Sequence, residues 1–457
     1  MQAIVDALSH AVRDGLLRPG ERIASVRRAA AERGVSKNTV AEAYDRLVAH
    51  GVLRARPGSG YVVAATTLSV AAPARAHVAE ALDLVSLLRE QLDGRHEVRP
   101  GDGRPPPGWM EGTDLGVRLA RTGLPVGSSG REHGYGSSWG FLPLRERICL
   151  SLSERAIRCD PSQVLLTQGA NHALDLITRH LLDPGDTVLV DDPGYYPLFG
   201  KLRLAKARVV GVRRLPDGPD LDALQAMLAA GVRPKVFFTQ SLAHNPTGGS
   251  LSLPVAHGLL QLAERYGFLL VEDDAFADLL PPSRPRLATL DQLNRVLYVG
   301  TFSKTLSASL RVGFVAANAR LAAALADIKL LTVVATSDHV ERFVTGLIAS
   351  GHYLRHLRRM RGRVEAATTR AVADLGRIGL QVARPRDDGF YLWATLPAGL
   401  EEASLCRKAS EAGIFLAPGT VFRIERVEEA AALRINVAYA SHPAFLTFLE
   451  QALAIRM

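Results

Sequence analysis

From about residue 110 onward, short apolar runs recur at intervals: "VLLTQG", "TVLVDDPG", "RVVGV", "KVFFTQ", "FLLVEDD", "RVLYVGTFSK" and "RVGFVAA". A strand with one face in water alternates apolar with polar residues, and these runs do not alternate, so both of their faces must be covered. Stretches with helical spacing lie between them. Helices crossing over both faces of a mostly parallel sheet satisfy that pattern, which predicts an α/β domain with ligand sites beyond the C-terminal ends of the strands. At 457 residues the chain is too long for a single hydrophobic core, so more than one domain is expected.

Several of the expected strand ends carry polar residues. Gly169, Ala170 and Asn171 follow "VLLTQ", Asp191 to Tyr195 follow "TVLV", and His244-Asn245-Pro246-Thr247-Gly248 follow "VFFTQSLA". Asp273 and Asp274 close "FLLVE", and Thr301-Phe302-Ser303-Lys304 close "VLYVG", with Arg311 seven residues later. Taken singly, a strand-end aspartate caps a helix, NPTG makes a turn and a lone lysine is a solvated cation. Together they deliver an amine, a carboxylate, an amide, an aromatic ring and a guanidinium from separate strand ends. Pyridoxal phosphate needs such a set: a lysine to form an imine, an acid to keep the pyridine nitrogen protonated, and an anchor for the phosphate.

Over about residues 98 to 457 the sequence resembles the fold-type I aminotransferases. Residue by residue, the resemblance implies that Lys304 carries the imine, Asp273 faces the pyridine nitrogen and Asn245 the ring oxygen. It also implies that Tyr195 stacks on the ring, and that Arg311, Thr301, Ser303 and the amides of Gly169, Ala170 and Asn171 hold the phosphate. Tyr135 matches a tyrosine that reaches the neighbouring subunit's phosphate, implying a homodimer with shared sites. Arg434, in the strand-like "LRINVAYA", matches the arginine that grips a substrate carboxylate. The sequence departs from the family at Phe276, where many members carry a tyrosine three residues after the aspartate.

The N-terminal 63 residues have a different character. They hold ten basic against six acidic residues, an excess of four within a chain whose net charge is +9. Ile4, Ala7, Leu8, Ala11 and Val12 recur at helical spacing. Ser25 then offers an N-cap and Gly34 a stop for a short helix, and Ser36 caps a further helix with Val40, Ala43, Tyr44 and Leu47 predicted to be buried. Two helices joined at a tight glycine turn make a helix-turn-helix. "VLRARPGSGYVV" follows as a β-hairpin that would form a wing, turning at Gly58 and Gly60. In such a motif the start of the second helix enters the major groove. Ser36, Lys37, Asn38 and Thr39 are therefore the candidate base readers, with Ser25, Arg27, Arg28, Arg54 and Arg56 near the phosphates.

This head resembles the GntR regulators over residues 1 to 63, through its PG turn, its "GVSKNTV" recognition turn and its GSG wing tip. Residues 64 to 97 read as a linker with one short amphipathic helix, "ALDLVSLLREQL", and the Gly/Pro-rich "RPGDGRPPPGW" that follows is expected to be irregular. A GntR-type head joined to an aminotransferase-like body is the layout of the MocR-type regulators. The resemblance implies a transcription regulator that binds duplex DNA and senses an amino acid or amine as an external aldimine at Lys304. An aminotransferase with a vestigial or autoregulatory head is the alternative, and a lyase, racemase or decarboxylase on the same scaffold stays open. No apolar run is long enough to span a bilayer, and Asp6 and Asp14 interrupt the first helical stretch, so a cytoplasmic protein is expected. Cys149, Cys159 and Cys406 are odd in number and lack CxxC spacing, which points to neither disulfides nor a metal site.

Overall fold

The computed structural model describes residues 1–13, 17–18, 20–56, 60–64, 85–110, 134–380, 382–385, 387, 389–424 and 431–454. The chain divides into two compact units, Met1–Ala74 and Arg75–Met457.

In the first unit, α1 (Gln2–Arg13), α2 (Val26–Arg33) and α3 (Lys37–Ala49) precede the hairpin β1 (Leu53–Arg56) and β2 (Gly60–Val63). The Ser25 side chain accepts a bond from the Arg28 amide to start α2, and Gly34 ends it at φ 63°, a left-handed turn that glycine adopts without strain. Ser36 caps α3 by accepting from the Thr39 amide at 3.1 Å. The four positions predicted to be buried on α3, Val40, Ala43, Tyr44 and Leu47, all lie in the core with Ile4, Val5 and Leu53. On α1 the buried stripe runs through Ile4 and Val5, whereas Ala7, expected to be apolar contact, is exposed. Ala7 has too little surface to hold the helix against that orientation. The hairpin pairs antiparallel from Leu53 with Val63 to Arg56 with Gly60. The wing tip at Gly58 lies outside the described residues.

The second unit begins with α4 (Val85–Asp93), whose Leu87 joins the body's core and whose Gln91 amide donates to the Tyr196 hydroxyl at 3.4 Å. The Gly/Pro-rich stretch is irregular until α5 (Pro107–Met110), one turn opened by a proline. Then come α6 (Leu142–Ser153), β3 (Val164–Thr167), α7 (Ala170–Leu181), β4 (Thr187–Asp192), α8 (Tyr196–Leu204), β5 (Arg208–Leu215) and β6 (Gly218–Pro219). They are followed by α9 (Leu221–Ala229), β7 (Pro234–Thr239), α10 (Leu253–Tyr266), β8 (Leu269–Asp274), α11 (Leu287–Asp291), β9 (Val296–Thr301) and β10 (Gly313–Ala316). The eight strands form one sheet in the order β3-β10-β9-β8-β7-β4-β5-β6. β4, β5, β7, β8 and β9 run parallel, and β10 runs antiparallel between β3 and β9.

The uninterrupted apolar runs of β3, β4, β7, β8, β9 and β10 are buried on both faces, whereas β5, next to the short edge strand β6, leaves Val209 and Val210 half-buried. Leu166, Leu189, Phe237 and Leu270 pack into one layer, and Leu165, Val188, Val236 and Val271 into the other. After the sheet come α12 (Ala319–Val333), α13 (Asp338–Ala349) and the long α14 (His352–Arg377). A smaller antiparallel sheet, which the apolar runs did not announce, is formed by β11 (Tyr391–Thr395), β12 (Ala417–Pro418) and β13 (Ala432–Asn436) in the order β11-β13-β12. Arg434 sits at the middle of β13, opposite Trp393. Among the described residues no helix is long and apolar enough to cross a membrane, and no cluster of His, Cys, Asp and Glu has metal-binding geometry.

Candidate functional site

The strand alternation of β8 decides how its two terminal acids are used. Asp274 points away from the site and is held by Arg286 Nε at 2.6 Å and the Tyr298 hydroxyl at 2.8 Å. Asp273 points into a cleft shared with Tyr195, Gln240 and His244. Its Oδ2 accepts from Gln240 Nε2 at 2.8 Å, while its buried Oδ1 has no hydrogen-bond partner. Burial pushes the Asp273 carboxyl up to about 6.

Gln240 is bonded at both ends. Its carbonyl oxygen accepts from the Asn245 amide at 2.7 Å, so one side chain sets both the aspartate and the NPTG turn. Behind it, Asp191 accepts from Arg214 at 3.0 Å and from the Thr239 hydroxyl at 2.8 Å. The adjoining His244 is held down to about 4 by burial and by Arg214, so it is neutral at physiological pH.

Arg434 is 2 % exposed and, among the described residues, pairs with no carboxylate. It donates to Asn245 Oδ1 at 3.0 Å and to the Gly101 carbonyl at 2.7 Å. Its guanidinium lies 4.8 Å from the Tyr391 ring centre and 4.9 Å from that of Phe422. These two rings fix the plane of the fork. Lys304, half-buried, donates to the Gly103 carbonyl, which also accepts from the Tyr391 hydroxyl at 2.9 Å. Burial first, and then the charge of Arg434, push the Lys304 amine down to about 8. An amine in that range keeps a minor but usable neutral fraction near physiological pH, far larger than that of an ordinary lysine, and can act as a nucleophile.

A second group of predicted residues gathers where β3 runs into α7. Gly169 precedes that helix at φ 79°, and a Cβ there would come within 2.7 Å of Arg311 Nη2. Arg311 donates to the Gln168 carbonyl at 2.7 Å and to Ser303 Oγ at 3.4 Å. Thr301 Oγ1 donates to Ser303 Oγ at 3.1 Å. Arg311 itself sits at φ 52°, a left-handed conformation that costs a non-glycine residue on the order of 1 kcal/mol. A helix start, two hydroxyls and a guanidinium gathered in this way are groups that can meet an anion.

Phe276 is 2 % exposed and packs its ring 5.7 Å from that of Tyr391 and 5.5 Å from that of Phe390. Tyr135 stands apart from the cluster at 87 % exposure. Gln240, Tyr391 and the carbonyls of Gly101 and Gly103 were not anticipated from sequence. The strand pattern around "FYLWATL" was the available signal for Tyr391, and a carbonyl carries none.

In the head, Lys37 and Asn38 stand exposed at the start of α3, and Arg27, Arg54 and Arg56 are exposed as well. Ser36 and Thr39 bond to each other at 2.8 Å, and Arg28 is paired with Glu32 at 2.7 Å.

Residues 103–449 match the family of aminotransferase class I and II, and residues 1–63 match the bacterial regulatory proteins of the gntR family. The chain belongs to the MocR-type GntR regulators. The probable rhizopine catabolism regulatory protein MocR of Rhizobium meliloti is 31% identical, over 88% of this chain and 83% of that one. The HTH-type transcriptional regulator TauR of Rhodobacter capsulatus is 30% identical over 91% of this chain and 88% of that protein. Among solved structures, LysN, an alpha-aminoadipate aminotransferase of Thermus thermophilus complexed with N-(5'-phosphopyridoxyl)-L-leucine, superposes with a TM-score of 0.72 at 28% identity, covering 83% of this chain and 98% of its own. This MocR-type chain thus combines a winged helix-turn-helix with a fold-type I body whose strand ends carry the polar groups described above.

Proposed function

We propose that the protein is a DNA-binding transcription regulator whose body holds pyridoxal phosphate and uses it to sense an amino acid or an amine. The observation that carries this reading is the buried, unpartnered Asp273 Oδ1, near enough for its charge to act on a lysine, Lys304, whose amine is pushed down to about 8. An unsatisfied buried carboxylate oxygen is costly, and a protonated pyridine nitrogen is a partner that would satisfy it.

The residues fit the cofactor group by group. Lys304 would take its aldehyde, Asp273 its ring nitrogen and Asn245 its phenolic oxygen, with Tyr195 against its face. Gly169, Ala170, Asn171, Thr301, Ser303 and Arg311 would take its phosphate. When bound, pyridoxal phosphate supplies a carbonyl carbon that condenses with primary amines and a ring that draws electron density from them.

The chain's own residues do the rest. Gln240 orients Asp273 and keeps Oδ1 free. Arg434, its plane set by Tyr391 and Phe422, offers its fork to a ligand carboxylate in exchange for the Gly101 carbonyl. That exchange gives a ligand a preference between two arrangements of the 99–104 segment, which switching requires. Tyr135, exposed here, fits a role in the phosphate site of a second subunit, and the reading includes a homodimer. Lys37 and Asn38 would read bases, with Arg27, Arg54 and Arg56 on the phosphates.

The test is a titration of amino acids and amines into cofactor-loaded protein, following the cofactor spectrum with and without operator DNA. By linkage, a ligand that alters DNA affinity must have its own affinity altered by the same factor. A spectrum that responds to ligands with no change in DNA affinity would count against sensing. A second reading, an active aminotransferase, is favoured by the simultaneous presence of Lys304, Asp273 and Arg434. Turnover on the order of 1 per second or faster with an amino acid and a 2-oxo acid would favour that reading.

A further inference from the structure

On the face of the sheet opposite α7 lies a cavity of about 410 Å³, walled by α6, the start of α14 and the strand ends at Thr301 and Phe314. That volume falls in the range of small-molecule sites. Most of its surface is apolar, from side chains such as Ile148, Leu150, Ile348, Leu354 and Leu357. Its polar groups are unevenly matched, with Arg147, Arg155 and Arg361 against Glu154 and Asp278.

Asp278, the half-buried acid, is already engaged. Asp278 Oδ1 accepts from Arg155 Nη2 at 2.5 Å, and its Oδ2 accepts from the Tyr353 hydroxyl. The remaining amines of Arg155 and Arg361 reach Ser151 at 2.7 Å and the Asp278 carbonyl at 2.7 Å. What is left over is Arg361, which lines the cavity, is half-buried and, among the described residues, donates through Nη2 alone. A half-buried guanidinium with N–H groups to spare, beside an apolar chamber, is complementary to a ligand with an anionic end and an apolar body.

We infer that this cavity is a second small-molecule site, distinct from the Lys304 site, and that it takes an amphipathic monocarboxylate whose charged end meets Arg361. Its wall is joined to the Lys304 loop. Thr305, the residue after Lys304, bonds through its hydroxyl to that of Tyr353 at 2.6 Å, and the Phe302 ring packs edge-on against Tyr353 at 5.7 Å. A ligand that displaces Tyr353 or its hydrogen bonds therefore moves the loop that presents the lysine. Occupancy of the cavity should change the affinity of the Lys304 site without competing for it.

The experiment uses full-length protein loaded with pyridoxal phosphate, titrated with octanoate by calorimetry, with octanol as the uncharged control. Saturable binding of one octanoate per chain, retained cofactor and at least tenfold weaker binding of octanol are expected. Arg361→Met should weaken octanoate at least tenfold, and Leu354→Trp, a replacement at a residue 49 % exposed on the solvent side, should block it even if the arginine variant fails to fold. Octanoate should also shift the midpoint of an amino-acid titration followed in the cofactor spectrum. The inference is overturned by any of three results: no saturable heat, octanoate affinity undiminished in both variants, or simple competition between octanoate and the amino acid. Octanoate binding by protein that never takes up cofactor would support this site while removing the reading of Lys304.

Discussion

The two ligand-facing regions of this molecule are built on opposite plans. In the head, Lys37, Asn38, Arg27, Arg54 and Arg56 stand in water on short local elements, and the core beneath them is a separate set of residues. In the body, Asp273, Asn245 and Arg434 are buried, come from segments 28 to 189 residues apart in sequence, and are tied together through Gln240 and direct hydrogen bonds. The head can therefore change what it reads with little effect on stability. The body cannot, because its binding groups are also one another's hydrogen-bond partners. DNA offers charges that can be met at a solvated surface, whereas a small ligand must be met by groups held in place before it arrives.

The largest effect should come from Lys304→Ala. We expect visible cofactor absorbance to be lost after dialysis while operator binding by the head persists, checked by spectroscopy and a mobility-shift assay on the same preparation. Cofactor retained in the visible band would mean that another amine is used.

Next comes Arg434→Met, which leaves Asn245 Oδ1 and the Gly101 carbonyl without their donor. Two buried acceptors stranded in this way should cost about 2–4 kcal/mol, read as a lower Tm. The same change should move a titration. The Lys304 amine is held down to about 8 partly by Arg434, so loading of pyridoxal phosphate by the parent should rise with pH and level off above about 8. Removing the arginine takes away a nearby positive charge, stabilises the protonated amine and shifts that midpoint upward. An unchanged midpoint would show that burial alone sets it.

In the head, Lys37→Ala combined with Arg56→Ala should weaken DNA binding, with the slope of log affinity against log salt falling by about 1 for the phosphate contact of Arg56 and base preference relaxing with the loss of Lys37. Cofactor content and Tm should not change. If they fall, the two regions are not as separate as their construction suggests. The smallest effect should be that of Arg28→Ala, because Glu32 already pairs with that guanidinium. Arg27→Ala should lower the salt slope by about 1, and Arg28→Ala by less.

Much of this was legible in the residues. Caps at Ser25 and Ser36, the buried face of α3 and the doubly buried strands follow from spacing and side-chain type, which act locally. Lys304, Asp273, Asn245 and Arg311 could be picked out because charged and amide side chains at the ends of apolar strands are conspicuous. Ala7 shows where that reasoning fails: a small side chain fits an apolar stripe on paper, yet a methyl group is too little to decide which way a helix faces.

The amino-acid sequence by itself determined the order of elements, the division between a basic head and an α/β body, and the side chains available for chemistry, since each depends on neighbours a few positions away. Only the tertiary structure decided that Gln240 leaves one Asp273 oxygen free, that the carbonyls of Gly101 and Gly103 engage the site's two cations, and that Arg155 and Arg361 border a second chamber. Those outcomes depend on which segments, distant along the chain, come within about 3 Å of each other, and a main-chain carbonyl or an empty volume has no letter in the sequence to announce it.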